Sequence, residues 1–173
     1  MGAHMIEADV RRAPDGRLVL AHDPVEDATG LVELGELLGL AAERIALDLE
    51  LKEEGLEEDV LSLLGPYPTG LVVTSFRATV IERIATLAPD LTLGLLLEEG
   101  DGAAAFERAD ACGATFVAPH WSLVRDLRVE ALVRRTQLAV WTVNETAMLA
   151  SLAVDSAVGV LITDRPDTAR TLL

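Results

Sequence analysis

Apolar, β-branched-rich runs recur along this chain: Met5 to Val10, Leu18 to Ala21, Ile45 to Leu51, Leu71 to Phe76, Leu91 to Leu97, Phe116 to Pro119, Leu138 to Val143 and Val158 to Thr163. Runs of this length and composition read as strands. From Ile45 onward, most gaps between them hold segments with apolar residues three and four apart, which read as helices: Glu57 to Leu64, Ala78 to Leu87, Ala103 to Ala111, Val129 to Arg135 and Thr146 to Val154. Strand then helix, repeated, predicts a parallel sheet with helices on its faces. Pro66, Pro68, Pro89 and several glycines punctuate the joins. Nothing resembles a linker or a low-complexity tract, so residues 1–173 read as a single domain.

The alternation fails at the start, where Asp15-Gly16 stands between two strand-like runs and signals a hairpin. A two-residue loop places Pro14 opposite Arg17 and, by counting back, Asp9 opposite His22, to within about one residue. Glu7 and Asp9 are two apart on a strand and share a face, so one imidazole and two carboxylates are expected to converge.

The run from Ile45 to Lys52 carries the next chemistry. Alternation points Asp48, Glu50 and Lys52 one way and Ile45, Leu47, Leu49 and Leu51 the other. Lys52 is the only lysine in the chain. For an isolated segment such a row is most often a solvated face, and its neighbours make it a site here.

Composition narrows the partners. A formal charge of −15 argues against a nucleic-acid duplex or an anionic membrane surface. Charges interrupt the apolar stretches before they reach bilayer length, so no transmembrane helix is expected. Cys112 is alone and read as a small packed residue, which suits a reducing, cytoplasmic compartment, and no charged-then-apolar leader is visible. Met1-Gly2-Ala3-His4-Met5 reads either as a vector-derived scar or as native sequence.

Glu7, Asp9 and Glu50 on neighbouring parallel strands repel one another in a partly dry pocket unless something neutralises them, and a divalent cation does so most economically. Oxygen ligation favours Mg²⁺ or Ca²⁺ over Zn²⁺. Lys52, a compact point charge, suits a phosphate oxygen. His22 suits proton transfer near neutral pH. Together they point to phosphoryl chemistry.

In this order the segments resemble the glycerophosphodiester phosphodiesterase family: Gly2-Ala3, Met5-Ile6-Glu7, Asp9-Val10, Asp15-Gly16, His22-Asp23-Pro24 and Glu50-Leu51-Lys52. Ser75-Phe76, Leu93-Gly94-Leu95, Trp141-Thr142-Val143-Asn144 and Ile162-Thr163-Asp164-Arg165-Pro166 follow, so the likeness runs nearly the whole length. The resemblance implies an α/β fold of the TIM-type (β/α) barrel that hydrolyses glycerophosphodiesters to glycerol 3-phosphate and an alcohol. It implies Glu7, Asp9 and Glu50 as metal ligands for Mg²⁺ or Ca²⁺, and His22 as one of a pair of acid/base histidines. Lys52 would steady the phosphate and Trp141 would line the substrate pocket. His120, at the end of the sixth strand, is open to a pocket role or to capping and packing.

The family begins with a strand ending in His-Arg-Gly and a helix, which this sequence lacks. The barrel is therefore expected to be incomplete at the N-terminus, with about seven parallel strands and the first βα unit missing. Gly2-Ala3 would be the residual end of that unit. The short stretch from His22 to Glu50 leaves only a brief helix between Leu31 and Leu40, where the family shapes the glycerol side of its pocket. Open edges predict a homo-oligomer or strand exchange between chains. Three functions follow: a metal-dependent phosphodiesterase, weakened or completed from elsewhere; a catalytically silent barrel that binds metal or self-assembles; and a lyase in which a substrate hydroxyl attacks phosphorus.

Overall fold

In the computed structural model, residues 2–42, 44–65, 70–98, 100 and 102–172 are described, and Pro66 and Pro68 lie outside them. The elements run β1 (Met5–Arg12), β2 (Leu18–Leu20), α1 (Leu34–Ala41), β3 (Ala46–Leu51), α2 (Glu57–Leu64), β4 (Leu71–Ser75) and α3 (Ala78–Leu87). They continue with β5 (Thr92–Leu97), α4 (Ala105–Cys112), β6 (Phe116–Pro119), a 3₁₀ turn (Trp121–Leu123), α5 (Val124–Arg134), β7 (Leu138–Val140), α6 (Thr146–Ala153), β8 (Val158–Leu161) and α7 (Pro166–Leu172). Every strand-like run forms its strand. The chain divides into two compact units, His4–Leu93 and Gly94–Leu173 with Met1–Ala3.

In the His4–Leu93 unit, β1 pairs in parallel with β3 and β3 with β4, while β2 returns antiparallel along β1. The parallel register places Glu7 opposite Asp48 and Asp9 opposite Glu50. Leu47, Leu49 and Leu51 on β3 have no exposed surface, and together with Leu34, Val60, Val73 and Ile81 they form the core under the helices. Each such leucine contributes roughly 1.5–3 kcal/mol by burial. The opposite face of β3 carries Asp48 and Glu50, also buried.

The hairpin differs from expectation by one residue. Ala13 N–H donates to Arg17 O at 2.9 Å and Gly16 N–H to Ala13 O at 2.9 Å, so the loop has three residues, Pro14-Asp15-Gly16. Gly16 sits at φ +92°, the left-handed position that such a loop needs. Val10 therefore faces Leu20, and Ala21 N–H bonds to Asp9 O at 3.1 Å. Ala21 rather than His22 meets Asp9. β2 also covers the outer edge of β1 over Val10–Arg12, leaving Met5–Ala8 outside that pairing.

In the other unit, β5 pairs in parallel with β6 from Gly94, and β7 with β8. A parallel bridge between His120 and Trp141 joins the ends of β6 and β7. α5 begins five residues before the segment predicted from Val129. Val124, Leu127 and Ala131 are its buried face, whereas Val129 and Val133 are 66% and 76% exposed. The polar residues Arg125, Asp126 and Arg128 mask the true apolar spacing. α7 was not predicted: its seven residues start on Pro166, which suits a first helical position, but bury only Ala169.

Candidate metal and phosphodiester site

β1 and β3 run side by side, so alternation delivers Glu7 and Asp9 from one strand and Glu50 and Lys52 from the next. One carboxylate oxygen from each of Glu7, Asp9 and Glu50 lies within 4.8 Å of the others. Lys52 Nζ stands 2.7 Å from Glu50 Oε1 and 3.3 Å from Asp9 Oδ1. The ammonium also lies 5.8 Å from the centre of the Phe76 ring, which follows β4. Below this row, Thr74 Oγ1 donates to Asp48 Oδ1 at 2.8 Å. The β3 end is braced by Lys52 N–H to Val10 O at 3.2 Å and by Ser75 Oγ to Leu51 O at 2.7 Å.

Electrostatics follow from crowding. Loss of water, then the charges of Asp9, Asp48 and Glu50, push Glu7 from its ordinary 4.5 up to about 8. Burial likewise raises Glu50 from 4.5 to about 7 against the pull of Lys52, and Asp48 from 3.8 to about 6 against its Thr74 hydrogen bond. Burial alone would lower Lys52, but Glu50 and then Asp9 outweigh it and raise its pKa.

These residues fit a hard divalent cation. Their donors are all carboxylate oxygens, and three negative charges less one ammonium leave two to balance. Glu50 Oε1 is buried and meets the Lys52 ammonium at 2.7 Å. A divalent cation would share that oxygen with Lys52 and balance the charge the single ammonium leaves over.

The histidine expected beside these carboxylates stands apart from them. His22 is 76% exposed at its side chain, and its Nδ1 lies 3.1 Å from Asp23 Oδ1. No hydrogen bond joins its ring to Glu7, Asp9, Glu50 or Lys52 among the described residues. Its backbone carbonyl instead accepts from Arg11 Nε at 2.9 Å. Arg11 escaped sequence reading, although it shares the two-residue period of Glu7 and Asp9.

In the second unit, Trp141 follows β7 and its Nε1 donates to Ala118 O at 2.8 Å. Its ring meets that of His120 edge-on at 5.3 Å, and His120 lies 4.9 Å from Trp121. His120 Nδ1 contacts Ser122 Oγ at 2.8 Å and accepts from Ser122 N–H, which caps the 3₁₀ turn. Asn144 ties the strand ends together, donating to Asp164 Oδ2 at 2.7 Å and accepting from Asp164 N–H at 2.9 Å.

Strand-helix repeats with a polar cluster toward strand carboxyl ends are the arrangement of the (β/α)-barrel class. Residues 52–168 match the Glycerophosphoryl diester phosphodiesterase family, and the chain belongs to that family. Solved structures are similar in fold. A phosphodiesterase from Oleispira antarctica, in complex with the product sn-glycerol-3-phosphate, is 19% identical with a TM-score of 0.86 over 99% of this chain and 85% of that one. A putative glycerophosphoryl diester phosphodiesterase from Silicibacter pomeroyi is 19% identical, TM-score 0.83, over 98% of this chain and 82% of that one. A glycerophosphodiester phosphodiesterase from Parabacteroides distasonis is 19% identical, TM-score 0.82, over 98% and 83%. No match is found among curated proteins. The fold is thus of the α/β barrel type of this family, and no His-Arg pair occurs in these 173 residues. None of the helices described is long and apolar enough to cross a membrane.

Proposed function

We propose that this chain is a divalent-cation-dependent phosphodiesterase acting on small glycerophosphodiesters. The observation that carries this reading is the meeting of Glu7, Asp9 and Glu50 oxygens within 4.8 Å beside the Lys52 ammonium. Glu7, Asp9 and Glu50 hold Mg²⁺ or Ca²⁺, and that cation, when bound, supplies charge neutralisation for phosphoryl oxygens. Lys52 attracts a non-bridging phosphate oxygen. Water adds to phosphorus and gives up a proton to His22, the bond to the alcohol oxygen breaks, and His22 returns that proton to the departing oxygen, leaving glycerol 3-phosphate and an alcohol. The lone, buried Cys112 suits a cytoplasmic location.

The test is thermal. Mg²⁺ or Ca²⁺ is expected to raise the melting temperature, Glu50→Gln to abolish the rise, and hydrolysis of an aryl phosphodiester by the parent chain to fall sharply, but measurably, in His22→Ala. An absent cation response sinks the carboxylate cluster as a site.

A catalytically silent, metal-binding barrel is the second reading, favoured by the exposed His22 ring, which pairs with Asp23 and not with the carboxylate cluster. A cation response with no turnover under any metal establishes it. Either reading includes self-association through the β1 edge that β2 leaves uncovered from Met5 to Ala8. A folded monomer in sedimentation overturns that part.

A further inference from the structure

We propose that Arg11, together with Glu53, is the positioning device for the loop that carries His22. This rests on the phosphodiesterase reading above for its catalytic consequence.

Arg11 stands on β1 two residues after Asp9, and its side chain is only 14% exposed. Its Nε donates to the backbone carbonyl of His22 at 2.9 Å, and a terminal nitrogen donates to Glu53 Oε2 at 3.2 Å. The other oxygen of Glu53 accepts the Arg12 N–H at 2.8 Å, so consecutive β1 residues grip both ends of one carboxylate. Glu53 directly follows Lys52. One planar guanidinium therefore links the residue after the phosphate-binding ammonium to the backbone of the proton-transfer histidine.

The tether matters because, among the described residues, the β1–β2 ladder does not reach His22. Pairing with β1 ends where Ala21 N–H meets Asp9 O. Among the described residues the His22 ring pairs with Asp23, itself 91% exposed. Arg12 provides the contrast. It bonds to Gly16 O, Gly55 O and Asp59 Oδ2, bracing the hairpin against the α2 entrance without reaching His22. A fork that serves a carbonyl and a carboxylate at once is a task for Arg and not Lys.

The test uses the full chain with Mg²⁺ and a bis-aryl phosphodiester, plus ¹⁵N heteronuclear NOE on the amides of His22 and Asp23. Arg11→Met and Glu53→Ala are each expected to lower kcat about 10- to 100-fold, as misplacement of a reacting group does. KM should move by less than about threefold. The loss should disappear when His22→Ala is already present, and the NOE at His22 and Asp23 should fall. Arg12→Met should lower the melting temperature while sparing the His22 NOE and kcat. An equal loss in the His22→Ala background, or an unchanged NOE in Arg11→Met, overturns the proposal. A parent chain without turnover defeats the phosphodiesterase reading instead, and the NOE then decides the tether by itself.

Discussion

Lys52 reaches back two residues along its own strand to hold Nζ 2.7 Å from Oε1 of Glu50. Residues i and i+2 share a face of a strand, and the four-carbon stem closes the gap that a shorter side chain would leave. The ammonium therefore neutralises the cluster from within it. The same Nζ is 3.3 Å from Asp9, so one cation serves carboxylates on two strands.

Removing that charge has a specific consequence. Lys52→Met leaves Glu7, Asp9 and Glu50 facing one another with no counter-charge, and should lower the melting temperature of the metal-free protein. Saturating Mg²⁺ or Ca²⁺ should recover most of the loss, because the cation replaces the missing ammonium. Turnover should stay about 10²- to 10³-fold down even with metal, because the proposed function gives Lys52 the contact to phosphate. Thermal scans with and without cation, paired with phosphodiester hydrolysis, check both parts.

Stability should also depend on pH in a defined direction. Glu7 is raised to about 8 and Glu50 to about 7 from an ordinary 4.5. Such groups bind protons more readily folded than unfolded. Their contribution is therefore complete below pH 4.5 and is lost as pH rises through 7 to 8. Metal-free protein should lose melting temperature across that window, and Glu7→Gln should flatten the loss. A bound cation replaces the protons, so the gap between loaded and metal-free samples should widen from about pH 6 to about pH 8. A gap independent of pH would contradict the assignment.

The buried leucine row gives a packing prediction. Leu49 has no exposed surface and sits between charged neighbours whose side chains point to the other face. Leu49→Ala should cost about 2–5 kcal/mol, as truncation in a packed core does. Urea titration with an unchanged slope checks that the loss is one of stability alone.

Much of this was legible in the chain because local rules agreed. Every strand-like run is a strand, and the two-residue period alone puts Glu7 and Asp9 on one face of their strand and Glu50 and Lys52 on one face of theirs. The hairpin shows where local rules stop. Asp15-Gly16 announced a turn, but a two- or three-residue loop depends on whether Gly16 closes the turn or follows it, and one residue of register moves His22 off Asp9. α5 failed for a different reason: Val129 and Val133 are spaced like a core face yet point to solvent. The Arg11–Glu53 link joins residues 42 apart in sequence, and no spacing rule reaches that far.

Gly16 tests the hairpin directly. At φ +92° and with nothing within 4 Å of where a Cβ would stand, a substitution meets only backbone strain. Gly16→Val should cost at least about 1–2 kcal/mol, whereas Gly16→Asn should be tolerated better, because Asn enters left-handed conformations more readily. Chemical denaturation of the pair separates them; equal costs would mean that the turn rearranges.

Asp48 offers the sharpest separation between charge and hydrogen bond. Its carboxyl is buried in mid-strand, raised to about 6, and accepts from Thr74 Oγ1 at 2.8 Å. Asp48→Asn keeps an oxygen for Thr74 and removes a charge that disfavours ionisation of Glu7. A raised carboxyl loses its stabilising effect as pH rises through its folded pKa, and Asn does not titrate, so this variant should gain stability over the parent above about pH 6. Thr74→Val acts oppositely: it strips Asp48 of that donor, should cost about 1–3 kcal/mol, and should push the carboxyl further up. If both variants destabilise equally at pH 8, the Asp48 charge is compensated by something other than Thr74, and burial is not what raises it.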